Sequence, residues 1–261
     1  MDKFGRGRVK RGPAGPAGKD AFNLYHWCPT VLLHLFRESE KCTYFFNTAT
    51  DGIVKEGSKT YFLKDQNGAN NAICLKNYEK PVPYQDVYVL PLRGALYRIE
   101  HISQALTPPS ITVFAFNFKL AKKDPPPGTH FIFSNWSKTR GVYFTKNYLD
   151  ICGTDPLLLE YDNDDWNRMI IQYTNLEFIG GCSFMLNGRK GFFVRKPYEK
   201  KEKEIIFLGG HPSLEQSYSA DVYISNFEIY TKIFENPSPT DYQVPEEILK
   251  VINAEFMNRT S

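Results

Sequence analysis

Hydrophobic and polar residues alternate along much of the chain, most clearly near its C-terminal end. Between residues 221 and 230 the alternation is interrupted by one slip, at Ser225-Asn226. The apolar members of this stretch are Val222, Ile224, Phe227 and Ile229. A period of two predicts a half-buried β-strand. The stretch 205–210, Ile-Ile-Phe-Leu-Gly-Gly, precedes it and ends in a glycine turn. Together the two stretches predict the closing strand pair of an antiparallel sandwich.

Similar short strands with turn signals between them follow one another from residue 84 onward. The predicted strands are 87–90, 95–99, 111–120, 130–134, 141–144, 157–161, 167–173, 184–186, 192–194, 205–208 and 221–230. Asn187-Gly188 is a dipeptide typical of a two-residue hairpin turn. Many short strands with regular turns favour an all-β antiparallel sandwich over alternating strands and helices.

The chain divides into four predicted parts. Residues 1–21 form a basic arm with a collagen-like stub, and residues 22–80 form a cysteine-containing lead-in packed on the head. The sandwich itself takes up residues 81–235. Residues 236–261 form a tail with a short C-terminal helix, because Pro245 suits a first helical turn and apolar residues follow at helical spacing.

Three successive Gly-X-Y triplets occupy residues 12–20, with Pro at X in the first two. Glycine at every third position is what a collagen triple helix requires, because only hydrogen fits at its axis. Three triplets are too few to hold a triple helix alone, so we expect the end of a longer stalk or a short register-setting stub. Collagen is three-stranded, which predicts a homotrimer. A chance Pro/Gly/Ala linker is the alternative.

A basic cluster stands immediately before these triplets. Arg8, Lys10 and Arg11 give the pattern Arg-X-Lys-Arg, which resembles the processing site of furin-type proprotein convertases. A basic solvated arm is the alternative. A convertase site ahead of collagen triplets resembles the layout of shed collagenous transmembrane proteins. That resemblance implies an extracellular location and a membrane anchor upstream of the residues present here.

Size and composition narrow the function classes. The chain has 261 residues, 42% of them hydrophobic, with 20 Phe and 16 Tyr, which is enough for a large core of strands. The net charge of +3 is spread along the chain and does not favour a nucleic-acid partner. No stretch has the roughly 18 apolar residues of a membrane span, and the polar, basic start does not resemble a signal peptide.

The cysteines leave two interpretations open. They show neither a Cys-X-X-Cys pair nor metal-ligand spacing with histidine. One interpretation is two disulfides plus one odd thiol in an oxidising compartment, and the other is buried free thiols. The five are Cys28, Cys42, Cys74, Cys152 and Cys182.

The order of features from residue 84 to residue 232 resembles the laminin G-like and related concanavalin A-like domains. Residues 110–118 supply an early strand with apolar-aromatic alternation, and Trp166 opens a later strand. A hairpin with Asn-Gly follows, and the stretches 207–210 and 219–230 close the pattern. The resemblance implies a jelly-roll sandwich. Because many laminin G-like domains bind Ca²⁺ at a sandwich rim, it also raises the expectation of a calcium site.

The densest group of carboxylates is the place for such a site. Ca²⁺ takes six to eight oxygen ligands in flexible geometry. Asp162, Asp164 and Asp165 are the candidate calcium ligands, with Asp155 and Glu160 nearby. A solvated acidic turn between two strands is the alternative.

The same stretch resembles the Glu-X-Asp-X-X-Glu pattern of sandwich-fold endoglucanases. In that pattern, strand alternation puts the nucleophile and an assisting carboxylate on one face. Here Glu160 and Asp162 match, but Asp165 replaces the final glutamate. The five histidines are scattered and form no catalytic set with a nucleophile. We therefore expect a protein that is not an enzyme, with a glycan-active enzyme as the alternative.

Two further features suggest an extracellular glycan context. A basic run near one hairpin is a candidate site for an acidic glycan such as heparan sulfate. Its proposed contacts are Lys196, Lys200, Lys201 and Lys203. Two Asn-X-Ser/Thr sequons are candidate glycosylation sites. They are at Asn135 and Asn258.

The predicted function is an extracellular adhesion or ligand-binding head on a collagenous, trimeric stalk. Its partner would be an extracellular protein or glycan, bound through rim loops. The candidate loops are 137–140, 162–165, 196–203 and 211–217. No cofactor other than calcium is expected. A viral or phage fibre head, which also combines a Gly-X-Y stalk with a β-rich tip, is a further alternative.

Overall fold

A computed structural model describes sixteen stretches of the chain. They are residues 28–34, 43–46, 55–56, 59–63, 71–76, 82–84, 87–99, 110–121, 130–135, 140–145, 148–151, 159–162, 164–175, 180–195, 205–213 and 221–233. These stretches contain strands and no helix.

Seventeen strands lie in the described residues, in the order in which the alternation predicted most of them. They are β1 (Cys28–His34), β2 (Thr43–Phe46), β3 (Lys55–Glu56), β4 (Lys59–Leu63), β5 (Ala72–Lys76), β6 (Val82–Tyr84), β7 (Val87–Pro91), β8 (Leu96–Ile99), β9 (Ser110–Leu120), β10 (His130–Asn135), β11 (Gly141–Thr145), β12 (Tyr148–Ile151), β13 (Asn167–Asn175), β14 (Gly180–Leu186), β15 (Arg189–Arg195), β16 (Ile206–Leu208) and β17 (Val222–Ile233).

The strands form two antiparallel sheets. Sheet A has the order β15-β14-β13-β9-β17-β7-β6, with β1 also paired to β17. Sheet B has the order β12-β11-β10-β16-β8-β5-β4-β2, with β3 paired to β4. The prediction of an all-β antiparallel sandwich is confirmed.

Aromatic side chains from both sheets form the centre of the core. Phe114 of β9 stacks on Phe133 of β10, with ring centroids 4.7 Å apart. Phe227 of β17 packs edge-on to the same Phe133 ring at 5.3 Å. Such pairs add about 0.5–1.5 kcal/mol each beyond the burial of their area. The inward positions of the alternating strands therefore meet across the sandwich, as their apolar character requires.

The two C-terminal strands do not form the pair that the sequence suggests. β16 lies in sheet B between β10 and β8, whereas β17 lies in sheet A between β9 and β1 or β7. The physical reason lies at Gly209, whose φ of 90° turns the chain out of sheet B directly after β16. The chain then crosses to the opposite sheet, so the prediction of a hydrogen-bonded closing pair is wrong.

The outward face of sheet A is also buried. Glu228 and Gln172 point away from the core, yet only 1% and 4% of their surface is exposed. Val113 and Ala115 on the same face are fully buried. The Tyr230 hydroxyl donates a hydrogen bond to the Glu228 carboxylate, which satisfies part of this polar surface. The half-buried strand predicted from the alternation is therefore a strand buried on both faces.

Strands of the predicted lead-in are hydrogen-bonded to strands of the predicted sandwich. β1 lies beside β17 in sheet A, and β5 lies beside β8 in sheet B. The lead-in thus contributes to both sheets. The predicted strand at 157–161 is reduced to one bridge between Leu159 and Leu149 in its described part.

Candidate ligand-binding rim

One end of sheet A carries an exposed, charged turn that we call the acidic rim. It consists of the described residues between 160 and 168 together with the hairpin turn at 187–190. Strand β13 begins here, and its residue Met169 pairs with Leu186 at the end of β14. The antiparallel pairing therefore places the acidic turn beside the β14–β15 hairpin.

The hairpin turn has the geometry that its sequence predicts. Asn187 and Gly188 both have positive φ, at 50° and 83°. Positive φ at both central positions defines the tight turns that match the twist of paired strands. Asn187 tolerates this conformation because its short polar side chain can bond locally. The hairpin prediction at Asn187-Gly188 is confirmed.

Asn167 holds the acidic turn together from inside the rim. Its side chain is fully buried. Its Nδ2 donates to the backbone oxygens of Asp162 at 2.7 Å and Asp165 at 3.1 Å. Its Oδ1 accepts from the Asp162 amide at 2.7 Å and from Asn187 Nδ2 at 2.8 Å. One amide group therefore ties the turn to itself and to the hairpin.

Asn187 completes the link between the hairpin and the start of β13. Its Oδ1 accepts a hydrogen bond from the Arg168 amide at 2.8 Å. Its own amide donates to the Arg168 carbonyl at 3.0 Å. The backbone of the acidic rim is thus fixed by two asparagines, while most of its charged side chains extend into solvent.

The aspartates of the turn act first as caps for backbone amides. Asp162 Oδ1 accepts hydrogen bonds from the amides of Asp164 at 2.8 Å and Asp165 at 3.0 Å. Asp165 Oδ1 accepts from the Trp166 amide at 2.7 Å. Carboxylates that accept local amides in this way are typical of turns. These hydrogen bonds give the stretch a defined turn, and the calcium site and its alternative, a solvated acidic turn, both stay predictions.

The predicted calcium ligands do not assemble into a metal site. Within the described stretches, no group of three or more His, Cys, Asp or Glu side chains is placed to hold a metal ion. One oxygen of Asp162 and one of Asp165 accept hydrogen bonds from backbone amides of the turn. The geometry gives no support to a calcium site at Asp162, Asp164 and Asp165.

The carboxylate pair of the endoglucanase-like pattern also has a different arrangement. Glu160 Oε2 lies 3.5 Å from Arg189 Nη1, and these side chains are 77% and 75% exposed. Residues 160–162 follow the single bridge at Leu159 and belong to no strand. The strand alternation that would put Glu160 and Asp162 on one catalytic face is absent in this described segment.

Tyr161 anchors the acidic rim to the core. Its ring packs edge-on against Phe144 at 5.2 Å and Phe118 at 6.3 Å. Burial raises the pKa of Tyr161 above its ordinary value. Burial also lowers the pKa of Arg168 at the start of β13. The exposed charges of the rim therefore lie next to two partly desolvated side chains, Tyr161 and Arg168.

Asn135, a predicted glycosylation site, lies inside the protein. It is fully buried, and its Oδ1 accepts a hydrogen bond from the Arg140 amide at 3.0 Å. A glycan on this nitrogen would have to pass through packed protein. Arg140 was predicted to lie in a rim loop, but it is fully buried too. Its guanidinium lies 5.7 Å from the centre of the Tyr173 ring.

The two cysteines whose side chains are described are free thiols. Cys74 and Cys182 are both buried. Burial raises the pKa of Cys74 to about 12. At these two positions the structure replaces the disulfide prediction with the alternative, a buried free thiol. The side chains of Cys28, Cys42 and Cys152 lie outside the described residues. These three cysteines can form at most one of the two predicted disulfides, and that one remains a prediction.

Several other predicted features also lie outside the described residues. These are the collagen-like triplets at 12–20, the C-terminal tail with its helix, the processing residues Arg8, Lys10 and Arg11, the glycan-binding residues Lys196, Lys200, Lys201 and Lys203, and the sequon at Asn258.

Sequence reasoning missed the two asparagines as the residues that organise the rim. Asn187 was recognised only as a turn former, and Asn167 only as the first residue of a strand. The Asp-X-Asp-Asp sequence around 162–165 was the available signal, because aspartates cap nearby amides. The partner that holds the other side of the turn could not be found from spacing alone.

The fold defines the class of this protein as an antiparallel β-sandwich. No known protein family and no curated protein sequence match the chain. Among solved structures, a mutant Trypanosoma rangeli sialidase has a TM-score of 0.48 at 14% identity, covering 75% of this chain and 31% of that one. The binding domain of botulinum neurotoxin serotype C1 has a TM-score of 0.46 at 11% identity, covering 77% and 48%.

A further similar structure is the binding domain of botulinum neurotoxin serotype D/C, with a TM-score of 0.44 at 12% identity. It covers 67% of this chain and 46% of that one. This chain therefore spans between about a third and a half of each of these structures. The assignment of the fold rests on the strand order and core of this chain itself.

The described part of the chain contains no helix that is long and apolar enough to cross a membrane.

Proposed function

We propose that this protein is a non-catalytic, extracellular ligand-binding or adhesion head of the laminin G-like type. It is carried as a homotrimer on a collagen-like stalk. The ligand is an extracellular protein or glycan. The support from the sequence is the run of Gly-X-Y triplets at 12–20 after a convertase-like basic site.

The acidic rim is the observation that carries the binding function. Charged side chains extend from a backbone that Asn167 and Asn187 fix. Asp162, Asp164, Asp165, Arg189 and Lys190 are exposed there. A rigid backbone with exposed polar groups lowers the ordering cost of binding. Loops on a sandwich scaffold are a common place for recognition.

The same geometry favours binding over catalysis. Glycoside hydrolysis needs two carboxyl groups across the scissile bond, roughly 5–5.5 Å or 6.5–9.5 Å apart. In the rim, Glu160 pairs with Arg189, and Asp162 caps two amides. Glu160 and Asp162 thus shape the turn and present charges that a binding partner could contact.

A trimeric stalk would strengthen weak contacts. Three heads on one stalk make the second and third contacts effectively intramolecular, so avidity exceeds the affinity of one head. Each acidic rim can then bind with modest affinity.

Charge reversal on the rim tests the binding function. Binding of the full chain to cultured cells and to an array of extracellular glycans is measured for Lys190→Glu and for Arg189→Glu. Lys76→Glu, at an exposed position on β5 of sheet B, is the matched control. We expect both rim variants to lose binding about tenfold or more, which is about 1.4 kcal/mol, while the control binds normally. Unchanged binding by both rim variants would overturn the proposal.

The glycan and trimer parts have separate tests. Heparin retention that survives replacement of Lys200 and Lys201 by alanine would remove the acidic-glycan ligand. Chemical cross-linking of the full-length protein in cell medium tests the trimer, with Gly15→Ser as the variant that interrupts the triplets. If the unaltered protein and Gly15→Ser are both monomers, the trimeric stalk is contradicted, but the proposed binding by the acidic rim is not affected. Hydrolysis of an arrayed glycan would contradict the non-catalytic assignment.

A further inference from the structure

The hairpin turn at Asn187-Gly188 combines a chemically reactive dipeptide with an exposed position. Both residues are exposed, and the space where a Cβ of Gly188 would lie is open. An asparagine followed by glycine can close into a five-membered imide, because glycine has no Cβ to hinder attack by its backbone nitrogen. Water opens this imide and leaves aspartate or isoaspartate in place of asparagine. The dipeptide that forms the turn is therefore also a candidate for spontaneous modification.

Two hydrogen bonds hold the side chain of Asn187. Its Oδ1 accepts from the Arg168 amide at 2.8 Å, and its Nδ2 donates to Asn167 Oδ1 at 2.8 Å. The backbone partner fixes the orientation of the Asn187 amide, because a backbone N–H can only donate. The nitrogen that would leave as ammonia is thus the one that joins the hairpin to the acidic turn.

Asn167 cannot compensate for the loss of this donor by reversing its own amide. Its Nδ2 donates to the carbonyls of Asp162 at 2.7 Å and Asp165 at 3.1 Å, and its Oδ1 also accepts from the Asp162 amide at 2.7 Å. Reversal would place oxygen against the two carbonyls and N–H against the amide. A carboxylate at position 187 has no hydrogen at neutral pH, so it could not donate to Asn167.

We propose that Asn187 is a site of spontaneous deamidation, and that the reaction removes the hydrogen bond between the hairpin and the acidic turn. In the first step the Gly188 nitrogen forms a bond to the side-chain carbonyl carbon of Asn187. The carbon–nitrogen bond of the side-chain amide breaks, and ammonia leaves with the hydrogen of the Gly188 amide. In the second step one water molecule hydrolyses either carbonyl of the imide, which gives aspartate or isoaspartate.

The bond to Asn167 affects both the rate and the outcome of this reaction. It has to break before ammonia leaves, so the folded protein reacts more slowly than the unfolded chain. In the product, a carboxylate oxygen can still accept from the Arg168 amide, whereas Asn167 loses its donor in the hairpin. The product also adds a negative charge to a rim that already exposes Asp164 and Asp165. Deamidation at this position does not depend on whether the rim binds a ligand.

Ageing of the full chain at neutral pH, followed by peptide mass spectrometry, tests the site. We expect both aspartate and isoaspartate at position 187 in the folded protein, and faster formation of both in the chain unfolded by urea. Asn187→Gln is the matched control, because its longer side chain would need a less favourable six-membered ring and should keep its amide. Absence of both products from the folded, unaltered protein would overturn the proposal.

Asn167→Ala tests the control of the rate by the hydrogen bond. We expect the folded variant to react about fivefold faster at position 187, equivalent to one lost hydrogen bond. Because this variant is also less stable, Gly209→Ala serves as a comparison, since an added Cβ there would collide with the Ala95 carbonyl in a different turn. Circular dichroism checks that both variants are folded. Gly209→Ala should react at the unaltered rate, and equal acceleration in the two variants would overturn the role of Asn167.

Asn187→Asp supplies the aspartate product directly and tests the outcome. Hydrogen exchange of the Asp162 amide, which Asn167 binds, is compared with that in the unaltered protein. We expect exchange to increase about fivefold, again equivalent to one lost hydrogen bond. Lys190→Gln changes the net charge by the same amount but keeps the Asn187 amide, and it should leave this exchange unchanged. Equal exchange in Asn187→Asp and the unaltered protein would overturn the proposed loss of the link.

Discussion

The acidic rim and the turn at residues 209–213, which we call the His211 turn, are both held by hydrogen bonds. The partners in these bonds lie at different distances along the chain. In the acidic rim, Asp162 and Asn167 bond to each other across five residues. In the His211 turn, Gly210 is bonded to Ser134, 76 residues away. The first turn is mainly exposed, whereas residues 209–211 of the second are buried.

The two turns are therefore stabilised by different kinds of contact. The acidic rim is stabilised by hydrogen bonds of polar side chains 5 to 20 residues apart, so we expect its shape to survive loss of the exposed Glu160–Arg189 pair. The His211 turn depends on backbone contacts to β10 and on aromatic packing. A small change in side-chain volume there would disturb the packing of two strands at once.

Gly209→Ala should have the largest effect. Gly209 has a φ of 90°, and an added Cβ would collide with the Ala95 carbonyl. We expect a loss of about 3 kcal/mol or more, because backbone strain and overpacking add. Gly188→Ala is the matched control, since Gly188 has a φ of 83° and open space around its Cβ position. It should lose only about 1–2 kcal/mol. Equal losses in urea unfolding would remove the distinction between the turns.

Asn167→Ala should have the next largest effect and would disrupt the acidic rim from within. It removes the donor for the Asp162 and Asp165 carbonyls and the acceptor for the Asp162 amide. We expect a loss of about 2–3 kcal/mol in urea unfolding, since several hydrogen bonds of one fully buried side chain are lost together. Asn187→Ala should cost less, because its side chain is exposed. A larger loss for Asn187→Ala would show that the hairpin, and not Asn167, organises the rim.

Cys74 gives the buried side of the molecule a pH dependence in the alkaline range. Burial raises its pKa from 9.0 to about 12. Stability from the neutral thiol is therefore complete below pH 9 and is lost as the pH rises towards 12, while the unfolded chain ionises first. We expect a loss of about 1 kcal/mol at pH 10 relative to pH 8. Cys74→Ala should show a smaller loss over the same interval, and an identical loss would contradict the assignment to this thiol.

Glu160→Gln should have the smallest effect. The Glu160–Arg189 pair is exposed on both sides. Its removal should change stability by less than about 0.5 kcal/mol, and high salt should abolish even that difference. Thermal unfolding at low and high salt measures both values. A loss of more than about 1 kcal/mol would show that the rim depends on its charges as well as on its asparagines.

Much of the fold could be predicted because strand formation here follows local patterns. Residues 111–120 and 167–173 alternate, and they became β9 and β13 with one or two added residues. Asn187-Gly188 identified its hairpin because few residues other than these adopt positive φ readily. The strand predicted at 157–161 was mostly lost in its described part, because the turn that Asn167 organises begins at 160.

The candidate site was predictable in place but not in role. The acidic sequence at 162–165 marked an exposed turn correctly. It could not show that Asp162 and Asp165 each accept hydrogen bonds from backbone amides through one carboxylate oxygen. Those bonds depend on the chain bending back towards Asn167. Residue type also could not show that the Asn135 side chain is buried.

The antiparallel β-sandwich, the position of most of its strands and one hairpin turn could be predicted from the amino-acid sequence. These follow from a period of two and from turn residues, which act over a few positions. The membership of β16 and β17 in opposite sheets, the burial of Glu228 and Gln172 and the burial of His211 became visible only in the folded chain. Those features depend on contacts between residues far apart in the chain, which local alternation does not encode.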